Sequence, residues 1–294
     1  MRISDLCIEL FAPEIQEIFV NDTRVLIKKY TDETTTVHPS PYRTSESMVD
    51  ALQEFGFRQS VRLDPLRPYA GGMTHVPHDN DLISVRWHAV IPPMANHGPV
   101  LALRRHLFRL QYEEAADVPH PEIAEALRQG RPIFVCGSTG SGKTTVLTRI
   151  LQTYCTSERV ILLEEIDEIP ALAPTWVKLT ARPPNLEGFG AVSIETMFRE
   201  TLRLAPDRIV VGEVRGPEVN PLYQAILSGH GSILTTLHID DPLSLVLRLS
   251  QMSSSTLNWA SLFAVKPPVL IFLSRKEKGE IQNVSCLSSG QIST

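Results

Sequence analysis

The chain has 294 residues, of which 43% are hydrophobic and 21% are charged, and its formal net charge at pH 7 is -5. This composition is typical of a globular protein with room for two separate cores, and its charge provides no general attraction to nucleic acid. The apolar runs are far shorter than the roughly 20 residues that cross a bilayer, and the N-terminus has no basic-then-apolar signal pattern. We therefore expect a cytoplasmic protein.

The first hundred residues predict a small α+β domain over residues 1–105. Strands are expected over residues 17–20 and 24–27, on either side of an Asn-Asp turn, and over residues 82–90. The many prolines, histidines and polar turns between residues 38 and 99 favour short strands and loops over long helices. The charged, irregular stretch at residues 106–118 predicts a linker between this domain and the next.

From residue 119 to residue 294 the sequence predicts a second domain. Apolar strands are expected over residues 133–136, 160–163, 209–211 and 232–236. They alternate with helices over residues 121–129, 144–154, 194–204 and 217–227. This alternation is typical of a mainly parallel α/β sheet.

The strongest motif is RPIFVCGSTGSGKTT at residues 131–145, where a buried strand runs through G-x-x-x-x-G-K-T into a helix. Glycines let backbone amides approach phosphate oxygens, and the helix contributes its positive N-terminal end. We expect Lys143 to reach the β- and γ-phosphates of ATP and the Thr144 hydroxyl to ligate Mg²⁺. The residues predicted to contact the nucleotide are Gly137, Ser138, Thr139, Gly140, Ser141, Gly142, Lys143, Thr144 and Thr145.

Carboxylates follow two of the predicted strands. Glu213 comes after residues 209–211, and an acidic group that begins at Glu164 comes after residues 160–163. Open α/β sheets bind ligands at these strand ends. Glu213 is predicted to orient an attacking water or to complete the Mg²⁺ shell, and Glu164, with Glu168 as second choice, to polarise water. The alternative is that these carboxylates are simply solvated.

Four free-standing cysteines and two histidines carry no metal signature. Cys7, Cys136, Cys155 and Cys286 contain no CxxC pair, so reduced thiols are expected rather than a zinc cluster or a disulfide framework. His230 and His238 lie eight residues apart in SGHGSILTTLHID at residues 228–240, which is not a usual helical ligand spacing, and no third ligand is evident.

Taken together, these motifs resemble secretion ATPases of the type II/type IV secretion and pilus-assembly superfamily, specifically the CpaF-like branch of tight-adherence pili. GSTGSGKTT resembles the family's Walker A, LLEEIDEI its Asp box, RLAPDRIVVGEVRGPE its Walker B and SGHGSILTTLHID its His box. EIQEIFVND at residues 14–22 resembles the family's opening segment. One departure is Glu165, where the family usually has Asp.

This resemblance implies a RecA-like P-loop ATPase domain preceded by a smaller α+β N-terminal domain. It further implies a homohexameric ring that hydrolyses ATP with Mg²⁺ and powers pilus assembly or retraction, or protein secretion. Such a motor is peripheral at the cytoplasmic face of the inner membrane, where it acts on a platform protein.

The resemblance also implies roles for basic residues. Arg86 and Arg104, with Arg105 less certain, would approach the phosphates when the N-terminal domain closes; ordinary surface ion pairs are the alternative. His230 and His238 would line the nucleotide side of the sheet, and one of them would sense the γ-phosphate, with structural imidazoles as the alternative.

Two other functions share this phosphate chemistry. A RecA-like nucleic-acid translocase would need a basic channel, which the composition does not indicate, so no nucleic-acid partner is expected. A regulatory ring that binds nucleotide without hydrolysis would not need Glu164 and Glu213.

Overall fold

The computed structural model describes residues 3–10, 12, 14–29, 35–78, 81–106, 120–253, 257–273 and 281–286. The chain divides into two compact units, one of Met1–Phe108 with Pro183–Ala191 and the other of Arg109–Arg182 with Val192–Thr294. Apart from residue 106, the predicted linker at residues 106–118 lies outside the described residues, so its bounds stay a prediction.

The first unit is a six-stranded antiparallel sheet with two helices. Its strand order is β3-β2-β1-β6-β5-β4, and each neighbouring pair is antiparallel. The elements in chain order are α1 (Ile3–Glu9), β1 (Ile15–Asn21), β2 (Arg24–Lys29), β3 (Thr35–Pro39), α2 (Ser45–Arg58), β4 (Tyr69–His78), β5 (Asp81–Val90) and β6 (Val100–His106).

Helix α2 packs on one face of this sheet. Its Met48 and Leu52 are fully buried, and the Phe55 ring meets Trp87 of β5 edge-on at 5.1 Å between centroids. The expectation of short strands and loops is wrong for α2, which has 14 residues, and for β4, which has ten, whereas the strand predicted over residues 82–90 is confirmed by β5. The helix begins in a capping box, where Thr44 and Ser47 each accept the other's backbone N–H in the side-chain oxygen.

The second unit is a seven-stranded sheet in the order β13-β12-β7-β11-β10-β8-β9. All neighbouring pairs are parallel except β12–β13, so the predicted mainly parallel α/β sheet is confirmed. Its elements are α3 (Pro121–Arg128), β7 (Ile133–Cys136), α4 (Lys143–Tyr154), β8 (Val160–Glu164), β9 (Val177–Thr180), α5 (Ile194–Thr201), β10 (Arg208–Val211), α6 (Val219–Leu227), β11 (Ile233–Leu237), α7 (Ser244–Met252), α8 (Trp259–Val265), β12 (Val269–Leu273) and β13 (Ile281–Cys286).

Helices cover both faces of this parallel sheet. On β8, Val160 and Leu162 pack into a core with α4, whereas Ile161 and Leu163 pack into a core with α5 and α6. Because parallel strands end at the same edge of a sheet, the residues that follow β7, β8, β10 and β11 share one edge, which we call the carboxyl edge. A buried layer on each face of the sheet thus packs against the strands that lead to this edge.

Two smaller expectations concern membranes and thiols. No helix in the described part of the chain is long and apolar enough to cross a bilayer. Cys7, Cys136 and Cys155 are free and buried, as expected for reduced structural thiols. The side chain of Cys286 lies outside the described residues.

Candidate active site

Residues 137–144, the phosphate loop, connect β7 to α4 at the carboxyl edge. Gly137, Gly140 and Gly142 have φ angles of 144°, 75° and 91°, a region that favours glycine. Gly142 caps α4 without a side chain, so no side-chain oxygen competes for the first amides of the helix. A Cβ built on Gly140 meets nothing within 4 Å, which leaves this side of the loop open to a ligand.

Lys143 is folded back into the phosphate loop. Its Nζ donates hydrogen bonds to the carbonyl oxygens of Gly137 at 3.0 Å and Ser138 at 2.9 Å, and only 8% of the residue is exposed. Burial lowers the pKa of Lys143, while the nearby Glu213 carboxylate raises it. The loop therefore holds a largely desolvated ammonium group beside the N-terminus of α4, which is an arrangement that attracts anions.

The residues of the loop fit a nucleotide phosphate with its metal ion. The Ser141 hydroxyl is fully buried and has no hydrogen-bond partner, and it belongs to the loop that leads into the N-terminus of α4, which has no side-chain cap. No group of three His, Cys, Asp or Glu residues suited to a metal ion occurs in the described residues. A Mg²⁺ ion held by the Thr144 hydroxyl together with phosphate oxygens stays a prediction.

His238 follows β11 and lies between Lys143 of the phosphate loop, after β7, and Glu213, after β10. Its Nε2 lies 3.3 Å from Lys143 Nζ and 3.3 Å from Glu213 Oε1. Burial and the neighbouring ammonium lower the pKa of His238, which favours a neutral imidazole. A neutral ring nitrogen either donates or accepts, so Nε2 can serve Glu213 or Lys143 at one time, but not both.

Glu213 also belongs to a line of charges along the carboxyl edge. Arg215 Nη1 lies 3.8 Å from Glu213 Oε2, and the same guanidinium forms an ion pair with Glu165 after β8. Glu165, which stands where the resemblance led us to expect Asp, therefore forms an ion pair with Arg215 in this chain. The sequence Lys143, His238, Glu213, Arg215, Glu165 follows the strand order β7-β11-β10-β8.

Glu164, the last residue of β8, lies in a different environment from Glu213. Only 3% of its side chain is exposed, and its Oε1 accepts the backbone N–H groups of Glu168 at 3.1 Å and Ile169 at 2.9 Å. Lys178 Nζ of β9 lies 3.5 Å from Oε2. Burial raises the pKa of Glu164 to about 7, although Lys178 and the two amides oppose this rise. Glu168 contributes to this site by donating its backbone N–H to Glu164 Oε1.

Gly212 separates the two carboxylates at the ends of β8 and β10. Its N–H donates to the Leu163 carbonyl oxygen at 2.8 Å, and a Cβ at this position would lie 3.3 Å from Cγ of Glu164. Glycine is therefore what allows the backbone of β10 to run so close to the Glu164 side chain.

His230 is not brought to this group. It is exposed before the amino end of β11, and its N–H donates to the Ala225 carbonyl oxygen at 2.9 Å. Five strand residues at about 3.3 Å each separate it from His238. The prediction that both histidines line the nucleotide side is therefore corrected, because the strand carries them to opposite ends of the sheet.

Arg86 and Arg104 belong to the first unit, where they are paired opposite each other on β5 and β6. Their side chains alternate with buried residues such as Trp87, which places them on the sheet face opposite the helices. Arg104 Nε lies 3.6 Å from Glu17 Oε1, and Lys28 Nζ lies 3.3 Å from Glu17 Oε2. Arg105 Nη1 donates to the Ala12 carbonyl at 3.4 Å. Approach of Arg86 and Arg104 to a nucleotide stays a prediction.

The comparison with protein families decides the classification. The family model described as "Type II/IV secretion system protein" matches residues 74–271. The chain belongs to this family. The predicted superfamily is thereby confirmed, while the CpaF-like branch stays a prediction.

Individual members of the Type II/IV secretion system family resemble the chain over most of its length. A putative conjugal transfer protein of Mycobacterium tuberculosis (strain ATCC 25618 / H37Rv) is 35% identical over 247 residues, which cover 80% of this chain and 70% of that protein. The structure of the pilus retraction motor PilT with bound ADP aligns with a TM-score of 0.64 and 15% identity over 97% of this chain and 82% of PilT. The ATPase DotB of Legionella pneumophila aligns with a TM-score of 0.59 and 19% identity over 92% of this chain and 75% of DotB.

These structures share the fold of this family member. They confirm the predicted class, a RecA-like P-loop domain preceded by a smaller α+β domain.

The sequence did not predict two residues that shape the site, Lys178 beside Glu164 and Glu218 beside the backbone of Arg215. Glu218 is buried, and its Oε1 accepts the N–H groups of Arg215 at 2.6 Å and Gly216 at 2.8 Å. The spacing of Glu218, three residues after Arg215, was the sequence signal from which its hydrogen bond with the Arg215 backbone N–H could have been predicted.

Proposed function

We propose that this chain is the ATP-hydrolysing subunit of a homohexameric motor that powers pilus assembly or retraction, or protein secretion. The motor acts at the cytoplasmic face of the inner membrane on a membrane-embedded platform protein. Membership of the Type II/IV secretion system family supports the secretion role. The observation that carries the ATPase proposal is the contact of His238 with both Lys143 of the phosphate loop and Glu213.

Lys143 and Glu213 supply the charges that this reaction needs. The Nζ of Lys143 has three donor hydrogens, so an ammonium that now binds loop carbonyls can also bind phosphate oxygens. Mg²⁺, when bound with ATP through Thr144, neutralises charge on the β- and γ-phosphates. Glu213 orients the attacking water, and the neutral His238 beside it holds the carboxylate near Lys143. Glu164 at the neighbouring strand end polarises that water in its ionised form.

The basic residues of the first unit complete the proposal. Arg86 and Arg104 deliver positive charge to the phosphates when the two domains close, which stabilises charge that develops during hydrolysis. His238, and not His230, senses the γ-phosphate because the structure brings His238 alone of the two to the phosphate loop.

The first test is phosphate release from Mg·ATP, measured across a protein-concentration series with mass determination by light scattering. We expect turnover that rises as a six-subunit species forms. Lys143→Ala and Glu213→Gln should each lower the turnover by about 10²-fold or more. Circular dichroism and ATP binding by Glu213→Gln serve as controls for folding. Equal turnover in wild type and Lys143→Ala would refute the assigned site.

The same assay separates the two other functions. Turnover that depends on added DNA or RNA would favour a nucleic-acid translocase. ATP binding without phosphate release at every protein concentration, and in the presence of membranes that contain the platform protein, would favour a regulatory ring.

A further inference from the structure

Lys178 is a largely buried lysine whose side chain contacts the end of β8 and the loop that follows it. It is the second residue of β9, and 17% of its side chain is exposed. Its ammonium contacts Asp167 Oδ1 and the Ile169 carbonyl oxygen, and it lies 3.5 Å from Glu164 Oε2. One lysine thus joins the end of β8 to the loop that follows it.

The charges around Glu164 come from three directions. From β9, Lys178 faces its Oε2; from the loop, the N–H groups of Glu168 and Ile169 bind its Oε1, and the Glu168 carboxylate repels it. From β10, Gly212 approaches without a side chain and contributes no charge. The ammonium of Lys178 therefore compensates the charge of a carboxylate whose side chain is only 3% exposed.

We propose that Lys178 is a positioning residue of the ATPase reaction, which favours the ionised form of Glu164 at the end of β8, next to the strand that precedes Glu213. The catalytic meaning of this inference rests on the proposed function, whereas the ionic coupling itself does not. Loss of the ammonium leaves Oε2 buried without a cation to stabilise its charge, so the carboxylate binds a proton more tightly than in the wild type. A protonated Glu164 no longer polarises water.

The direction of the effect is fixed by the environment of the carboxylate. Burial already raises the pKa of Glu164 to about 7 with Lys178 in place, and Lys178 is the largest influence that lowers it. Removing Lys178 must therefore raise this pKa further. Asp167 competes with Glu164 for the same ammonium, so removing the Asp167 charge must lower it.

The coupling can be measured without any activity. The chain labelled with [5-¹³C]glutamate is titrated by NMR, and the Glu164 signal is identified by its loss in Glu164→Gln. We expect a wild-type midpoint near 7, an increase of about one pH unit or more in Lys178→Met, and a near wild-type midpoint in Lys178→Arg. Lys266→Met is the matched control, because this lysine binds the Ile226 carbonyl away from the site and should leave the midpoint unchanged.

Either of two results would overturn the coupling. One is an unchanged midpoint in Lys178→Met. The other, which stays readable if Lys178→Met does not fold, is an increased midpoint in Asp167→Asn, whose side chain is 41% exposed and tolerant of change.

The pH dependence of ATP turnover then tests the catalytic part. The rising limb of the pH–rate profile should move to higher pH in Lys178→Met and return in Lys178→Arg. A shifted NMR midpoint with an unmoved limb would show that Lys178 has no part in the reaction. Absence of turnover in the wild type would refute the proposed function, and the NMR titration would still decide the ionic coupling.

Discussion

Replacement of Glu158 by alanine should strongly destabilise the second unit, because it leaves the buried guanidinium of Arg208 without its carboxylate partner. Arg208, the first residue of β10, is 3% exposed. Its Nε lies 2.5 Å from Glu158 Oε2, its Nη2 lies 2.9 Å from Glu158 Oε1, and Nη2 also donates to the Leu127 carbonyl oxygen at 3.4 Å. In Glu158→Ala the charge keeps that one carbonyl but loses both carboxylate oxygens.

The expected cost follows from the exposure of each partner. Removing one member of a buried ion pair costs about 3 to 5 kcal/mol, since the remaining charge is uncompensated. Because the Glu158 side chain is 29% exposed, water can enter after truncation, so we expect the lower end, about 3 kcal/mol. Arg208→Met should cost less, about 1 to 2 kcal/mol, because the carboxylate it leaves behind already reaches water.

Urea denaturation, followed by tryptophan fluorescence and compared at equal m-values, measures both costs. Glu200→Ala provides the control, since the Glu200–Arg203 pair is 58% and 76% exposed and should contribute less than about 1 kcal/mol. The reasoning fails if Glu158→Ala is no more destabilising than Glu200→Ala.

Three further predictions concern the site and the thiols. ATP turnover should increase between about pH 6 and pH 8, because the carboxylate form of Glu164 gains population around its pKa of about 7; a flat pH–rate profile would contradict this. His238→Ala should lower kcat by about 10- to 100-fold with little change in ATP binding, and an unchanged kcat would rule out its role. Burial raises the pKa of the Cys7 and Cys155 thiols to about 12 and raises that of Cys136 further. These thiols should resist iodoacetamide in the folded protein at pH 8, and rapid alkylation detected by mass spectrometry would be inconsistent with their burial.

The phosphate loop and the carboxylates of the second unit were predictable because their strands are apolar on both faces. Ile133–Cys136 and residues 160–163 are buried throughout, so each is a short apolar run, and Gly137 and Glu164 follow directly after them. The pairing of Glu213 with His238 was not predictable, since it depends on which strands become neighbours.

Other features were not predicted from the sequence, because local patterns compete with tertiary contacts. Helix α2 has its capping signal at Thr44 and Ser47, but prolines and polar turns on both sides obscured it. Strand β9 has four residues with intermediate or exposed side chains and therefore no clear alternation, so Lys178 carried no signal. The separation of His230 from His238 was already implied by the strand predicted over residues 232–236, because a strand between two residues carries them to opposite ends of the sheet.

The close approach at Gly212 has a consequence for how the site can vary. Its backbone angles do not demand glycine, and the restriction comes instead from a side chain on the neighbouring strand. A methyl group at this position would push against Cγ of Glu164, whose carboxyl group is tied on one oxygen to two amides and faces Lys178 with the other. A side chain at residue 212 is therefore tolerated only if Glu164, held by these contacts on the neighbouring strand, can move by a few tenths of an ångström.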